Sequence, residues 1–204
     1  MSRFIKSILS IVITVILCLS SLACVSAEPS SKGQNLLPQG SFDNEWDVTR
    51  FYPAGVTPKW DAEGAEGTTG SMMGEKYGGS SCVKWETQVL PGETYDISFY
   101  AKCTGIATTI WMPASFRGTS GQFEKIMEET PIGTSWKKYE LTWTVPTKAK
   151  NGENIPGQVE ISVRTDNDSK ANETLWIDEI KVISHGNIPA DYHDVTGERG
   201  EWED

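Results

Sequence analysis

Six side chains on or beside predicted strands offer the chemistry of noncovalent binding to a flat ligand that carries both C–H and polar groups. They are four aromatic residues and one oppositely charged pair: Trp60, Trp85, Tyr100, Trp111, Glu160 and Arg164. An aromatic ring packs on a C–H-rich surface, and carboxylate or guanidinium groups form strong hydrogen bonds with polar groups at its edge. Whether these side chains meet depends on the strands that carry them.

The elements that would position these side chains are strands. Segments rich in β-branched and aromatic residues, bounded by Gly, Pro, Asn or Asp, occupy residues 84–89, 95–102, 107–112, 137–145, 158–165 and 174–183. Pro91-Gly92 predicts a turn that joins the first two segments into a hairpin. Residues 122–129 have room for one or two helical turns, and no other segment after residue 27 has helical periodicity. Many short strands without helices predict an all-β sandwich or barrel.

Alternation along the strands separates core positions from outward ones. Tyr100 falls on the face opposite Phe99, and Trp111 alternates away from Ile110 and Met112. Both rings are therefore predicted to point away from the core, where they either contact a ligand or lie exposed without a function.

Each of the other four side chains could either contact a ligand or have a structural role. Trp85 shares its face with Val83 and Val89, which favours the core over binding, and Trp60 precedes a Gly-rich stretch that could form a loop at the mouth of a cleft. Glu160 and Arg164 alternate with the apolar positions of 158–165. They could bracket a ligand ring or form a cross-strand ion pair on a solvated face.

The first 27 residues predict export. Arg3 and Lys6 precede an apolar stretch over 8–23, and Val25-Ser26-Ala27 has the small residues of a cleavage site, so a signal peptide is predicted over 1–27. A retained membrane anchor and a lipid anchor on Cys24 are the alternatives. The location is then secreted or cell-surface. Cleavage leaves 177 residues, enough for one domain with a full core.

The net negative charge of the chain limits the classes of molecule that it is expected to bind. Cleavage removes two basic residues and no acidic one, so the formal charge changes from −10 to about −12. Nucleic acid and anionic membrane surfaces are poor partners for such a chain, whereas neutral polymers are compatible. The sequence leaves the oligomeric state open.

Composition also predicts the boundaries of the folded module. Residues 28–34 are predicted to be a linker, 35–184 the folded module, and 185–204 an acidic solvated tail or, through Tyr192 and Trp202, a binding arm.

Cys82 and Cys103 flank the predicted hairpin, which favours a disulfide between neighbouring strands over two thiols.

Four stretches in order resemble carbohydrate-binding modules of families 4, 9 and 22. They are residues 35–43 (NLLPQGSFD), 90–102 (LPGETYDISFYAK), 135–146 (SWKKYELTWTVP) and 175–182 (LWIDEIKV), with Tyr100 where the group usually has tryptophan. The resemblance implies a jelly-roll β-sandwich of two antiparallel sheets. It also implies non-catalytic binding of a polysaccharide, such as a β-linked glucan, xylan or related glycan, for which the six side chains above are the candidate contacts.

The resemblance carries further implications for individual residues. Some members of the group hold a structural calcium ion, and the matching positions here are Asp43 and Asp178. Trp136 and Trp143 lie in the scaffold motifs and are expected to pack.

Two other classes of function remain open at this point. A small jelly-roll glycoside hydrolase would use two facing carboxylates, for which Glu86, Glu140 and Glu160 are candidates, although none lies in a hydrolase motif. A surface interaction protein or lipoprotein is the other alternative. His185 and His193 fall at or beyond the end of the module, which disfavours zinc or a serine–histidine–acid triad.

Overall fold

The described part of the chain forms ten strands and two four-residue helices. The computed structural model describes residues 33, 35–48, 52–53, 58–75, 82–104, 109–116, 123–155, 158–165 and 174–186. The predictions for the signal peptide, for Cys24, for most of the linker and for residues 187–204 lie outside this part of the chain.

The elements follow one another in a simple order. A 3-10 helix (Pro38–Ser41) and helix α1 (Glu45–Val48) precede the strands β1 (Tyr52–Pro53), β2 (Pro58–Asp61), β3 (Ser71–Glu75), β4 (Cys82–Gln88), β5 (Thr94–Thr104), β6 (Thr109–Phe116), β7 (Phe123–Pro131), β8 (Lys137–Thr144), β9 (Gln158–Thr165) and β10 (Thr174–Ser184). All six predicted strands are present. The helical turns considered for 122–129 are wrong, because β7 occupies these residues and pairs with β6. Neither helix in the described part of the chain has the length and apolar character needed to cross a membrane.

The strands form two antiparallel sheets of five strands each, as predicted. The front sheet has the order β1-β4-β9-β6-β7, and the back sheet has the order β2-β3-β10-β5-β8. Apolar side chains from the facing sides of both sheets form one buried core. The sandwich prediction is therefore confirmed.

The alternation predicted for β5 is confirmed by burial, because Phe99 and its alternate neighbours are buried. On β9 the apolar positions around Ile161 are buried as predicted, but the outward Glu160 and Ser162 are shielded as well. Phe99 stacks on Tyr139 of β8 with ring centroids 5.3 Å apart, which extends the core across the back sheet. Tyr139 is shielded enough that burial raises the pKa of its hydroxyl to about 12.

The predicted hairpin of β4 and β5 is wrong. The Pro91-Gly92 turn is present, with Gly92 at φ +85°, where a residue without Cβ has no steric penalty. The turn, however, carries the chain from the front sheet to the back sheet. β4 pairs with β9, and β5 pairs with β8 and β10.

Because the chain crosses between sheets here, the basis for the predicted disulfide between Cys82 and Cys103 is lost. Cys82 is opposite Arg164 in the front sheet, and Cys103 is opposite Leu175 in the back sheet, so they are not on neighbouring strands. Cys103 is a buried thiol that donates a hydrogen bond to the Thr104 carbonyl at 3.4 Å. The structure therefore does not contain the predicted disulfide.

The N-terminal segment closes the back sheet against β10. The Leu36 N–H donates to the Val182 carbonyl at 2.8 Å, and the Asn35 amide oxygen accepts from the Val182 N–H at 2.9 Å. A Cβ atom on Gly40 would lie 2.2 Å from the Ile180 carbonyl oxygen, so only glycine allows this approach.

Candidate functional site

The outer face of the front sheet brings together Trp111, Glu160 and Arg164. Trp111 on β6 is the direct cross-strand partner of Arg164 on β9, and Ser115 on β6 is the partner of Glu160. Partners in antiparallel strands project to the same face. The two pairs are four residues apart along β9, which corresponds to about 13 Å. We call this outer face the front face.

Trp111 is half-buried beside two cations. The Arg164 guanidinium carbon lies 5.7 Å from the centre of its indole ring, and the Lys125 ammonium lies 5.5 Å from it. Cations at these distances are attracted to the ring quadrupole and restrict the orientation of the indole. Lys125 also pairs with Glu128, and that hydrogen bond is the main reason why its pKa is raised. One end of the front face thus combines an aromatic ring with positive charge.

Glu160 lies at the other end, in an ion pair across the sheet. The Lys84 ammonium is 3.2 Å from a carboxylate oxygen of Glu160. Glu160 is only 9% exposed, and Glu86, its direct cross-strand partner on β4, is only 1% exposed. Polar side chains on an outer face are usually solvated, so these two carboxylates lie in a sheltered part of the surface.

Several front-face residues were not identified from the sequence. Ser162 lies between Glu160 and Arg164 on β9 and is almost completely shielded, and Phe123 lies opposite Ser115 with half of its side chain exposed. Lys84 was within reach of sequence reasoning, because it alternates with the buried Trp85, and Glu86 was named from the sequence only as a hydrolase candidate. Phe123 was not, because its segment lacked a clear strand pattern.

The front face combines ring surface with hydrogen-bonding groups. Trp111 and Phe123 offer ring surface on β6 and β7, while shielded carboxylates, a serine and a guanidinium lie on the adjacent strands β9 and β4. This combination suits a flat ligand that carries both C–H and polar groups.

Tyr100 lies on the opposite side of the molecule. It is half-buried on the outer face of the back sheet, where its hydroxyl donates to Glu66 at 2.8 Å, and this hydrogen bond raises the pKa of the tyrosine. The cavity beside it, of about 260 Å³, is also lined by Lys138 and Lys181. Tyr100 and Trp111 therefore cannot line one groove.

Of the predicted aromatic contacts, Trp85 belongs to the core and Trp60 packs half-buried against it. Trp85 is fully buried between the sheets, which leaves no ring face for a ligand. Trp60 packs against the core from edge strand β2 and donates its indole N–H to the Phe42 carbonyl at 2.8 Å. Neither residue lies on the front face, so we leave both out of the candidate site.

The two scaffold tryptophans also pack, as expected. Trp143 is buried and donates its indole N–H to Glu124 at 3.2 Å. Trp136 is half-buried beside the back sheet, and the Lys102 ammonium lies 4.8 Å from its ring centre. The same ammonium lies 5.1 Å from the ring centre of Trp176.

Asp178 is fully buried and anchors a loop of the back sheet. Its carboxylate accepts hydrogen bonds from the Ala65 N–H at 2.8 Å, the Thr68 hydroxyl at 2.6 Å and the Glu179 N–H at 2.7 Å. Burial raises the pKa of Asp178, although each of these hydrogen bonds lowers it. The carboxylate thus ties residues 65–68 to β10.

These contacts do not fit the calcium site that the resemblance implied. Asp43 is exposed and accepts a hydrogen bond from Ser41 at 2.9 Å, while the oxygens of Asp178 already accept from three protein donors. No group of three or more His, Cys, Asp or Glu side chains in the described ranges could hold a metal ion. Calcium remains a prediction that the structure does not support.

Solved structures with the same arrangement of strands are numerous. The family 22 xylan-binding domain CBM22-1 from Paenibacillus barcinonensis Xyn10C superposes with a TM-score of 0.62 at 14% identity, over 78% of this chain and 100% of that domain. A family 16 carbohydrate-binding module gives 0.52 at 19% identity, over 73% and 99%. The N-terminal cellulose-binding domain of Cellulomonas fimi β-1,4-glucanase C gives 0.52 at 16% identity, over 74% and 98%.

The chain has the fold of a carbohydrate-binding module. No family model and no curated protein matches its sequence. At sequence identities below 20%, the similarity to these modules shows a shared backbone fold. It does not show what the side chains on either outer face bind. What those side chains bind has to be argued from their own contacts.

Proposed function

We propose that this protein is an exported, non-catalytic module that binds a β-linked polysaccharide, such as a glucan or xylan, on its front face. The observation that carries the proposal is the pairing of Trp111 with Arg164 on the same face as the shielded Glu160 and Glu86. The ring packs on the C–H face of a sugar, and the charged groups hydrogen-bond its hydroxyls. Structural relatives that are named xylan-binding and cellulose-binding domains support the same class of ligand.

Affinity electrophoresis against a panel of glycans tests the proposal. We expect migration of the protein to be retarded in gels that contain xylan or β-glucan, with a Kd in the micromolar to millimolar range, about −8 to −4 kcal/mol. Bovine serum albumin in the same gels controls for viscosity. Unchanged mobility in every glycan would contradict the proposal.

One feature favours glycoside hydrolysis as a second candidate. Glu86 and Glu160 are direct partners on neighbouring antiparallel strands, where Cβ atoms lie about 4.5–5.5 Å apart, and retaining glycosidases place their two carboxyl groups about 5–5.5 Å apart. Glu140, the third candidate, lies on the back sheet in an ion pair with Lys138 at 2.6 Å. It cannot act with the other two.

Binding without catalysis remains the better-supported function. A glycosidase also needs a second, protonated carboxyl group, whereas the ion pair of Glu160 with Lys84 supplies only the ionised one, and the named structural relatives are binding domains. We expect no release of reducing sugar from xylan, β-glucan or mannan above background. Release that disappears in both Glu86→Gln and Glu160→Gln would instead establish a hydrolase.

A further inference from the structure

Arg164 differs from the lysines that surround the two outer faces. Among the described residues, five lysines have a carboxylate within 4 Å: Lys84, Lys102, Lys125, Lys138 and Lys181. Arg164 has none within the same part of the chain. Its Nε donates to the Ser162 hydroxyl at 3.3 Å, and its guanidinium lies against the Trp111 ring.

The described positions around Arg164 explain why none of their carboxylates neutralises it. Its cross-strand partners on the front sheet are Cys82 and Trp111, and the preceding outward residue on β9 is Ser162. Glu160, four residues away on the same strand, is already paired with Lys84. The half-buried guanidinium thus has terminal N–H groups and no anionic partner among the described residues, in a chain whose formal charge is −10.

We propose that Arg164 binds a carboxylate of the ligand, and that the glycan recognised on the front face is acidic, with uronate groups on its backbone or side chains. A guanidinium presents a planar fork of N–H donors that matches a carboxylate bidentately, more strongly than it matches neutral hydroxyls. Trp111 holds the fork in place and offers ring surface to the same sugar. The inference rests on the proposed function and adds the chemical class of the ligand.

The back face shows why this property belongs to the front face alone. Lys138 and Lys181 border the cavity beside Tyr100, but Lys138 pairs with Glu140 at 2.6 Å and Lys181 pairs with Glu179 at 2.5 Å. An anionic ligand would have to displace these carboxylates. At Arg164 it would displace none of the described carboxylates.

A pair of matched polysaccharides tests the inference. One is xylan that bears glucuronate side groups, and the other is the same xylan after its carboxyl groups have been reduced to hydroxymethyl groups, which keeps chain length and linkages. We expect the full-length protein to bind the acidic form about tenfold more tightly, which corresponds to about 1.4 kcal/mol, with the preference decreasing at high salt. β-1,4-linked polymannuronate and its carboxyl-reduced form make a second matched pair on a different backbone.

Variants assign the preference to one residue. Arg164→Gln should bind the acidic and the reduced xylan equally, while Arg164→Lys should keep part of the preference because it retains the charge without the fork. Lys138→Gln makes the same change of charge on the back face and should behave as the wild type. Thermal unfolding of each variant establishes that it is folded.

The outcomes separate the inference from the function on which it rests. Equal affinity of the wild type for the acidic and reduced forms of both backbones would overturn the acidic-ligand inference and leave glycan binding intact. A preference that survives in Arg164→Gln would overturn the role of Arg164. Absence of binding to every glycan, acidic or neutral, would overturn the proposed function itself.

Discussion

Trp111→Ala should weaken glycan binding at least about tenfold, whereas Tyr100→Ala should leave it unchanged. Loss of a stacked ring costs about 0.5–1.5 kcal/mol beyond the area it buries, and the indole also orients Arg164 and Lys125. A tenfold change corresponds to about 1.4 kcal/mol. Isothermal titration with a soluble oligosaccharide, or affinity electrophoresis in glycan gels, measures both variants against the wild type.

The two variants form a matched pair because each removes a half-buried aromatic ring from the outer face of a different sheet. Trp111→Phe, which keeps a ring, should recover part of the lost affinity. If Tyr100→Ala abolishes binding while Trp111→Ala does not, the glycan site is on the back face and our assignment of the front face is wrong. Equal melting temperatures exclude unfolding as the cause.

Asp178→Asn should destabilise the protein by about 3 kcal/mol, the largest effect on stability that we expect from a polar substitution. The amide keeps one acceptor oxygen and replaces the other with an NH2 group, so one or two of the three buried donors lose their acceptor at about 1–3 kcal/mol each, with partial relaxation. For a domain of this size the melting temperature should fall by about 6–12 °C. Urea unfolding followed by tryptophan fluorescence measures the change.

The raised pKa of Asp178 determines how the stability of the folded protein should change with pH. Because burial raises the pKa of Asp178, the folded protein binds that proton more tightly than the unfolded chain, whose value is near 3.8. This contribution to stability therefore increases as the pH falls through the raised pKa and is absent at higher pH. The difference in stability between wild type and Asp178→Asn should widen as the pH is lowered from 7 towards 4.

Asp43→Asn is the matched control, since the same chemical change at an exposed carboxylate should alter stability by less than about 0.5 kcal/mol. If Asp178→Asn has an equally small effect, the anchoring of residues 65–68 by this carboxylate is not important for stability. Unfolding with added calcium and with a chelator tests the remaining metal prediction. A calcium-dependent increase in stability that both substitutions remove would establish a site shared by Asp43 and Asp178.

The fold class followed from the sequence because alternation is a local property. The buried and outward positions of β5 and β9 could be read from which residues are apolar, and Trp111 was placed outward for the same reason. Strand pairing was not readable in this way. The turn at Pro91-Gly92 is the same whether the next strand returns beside β4 or enters the other sheet, and here it enters the other sheet.

The composition of the site depended on that missing information. Tyr100 and Trp111 are both outward residues, but only the order of strands shows that they are on opposite sides of the sandwich. Trp85 and Trp60 carry the same ring as Trp111, but Trp85 is buried in the core and Trp60 lies on strand β2 of the back sheet. The carboxylate pair of Glu86 and Glu160 arises from the register of β4 against β9, strands that are about 70 residues apart in the chain.

The position of β10 has a consequence for how the chain is made. This strand comes last in the sequence of the fold, yet it lies in the centre of the back sheet, between β3 and β5. Until residues 174–184 have emerged from the ribosome, both neighbours expose an unpaired edge, the kind of surface on which chains self-associate. The back sheet thus closes only after nearly the entire domain has been synthesised, so the unfinished chain depends on remaining unfolded or protected during its production.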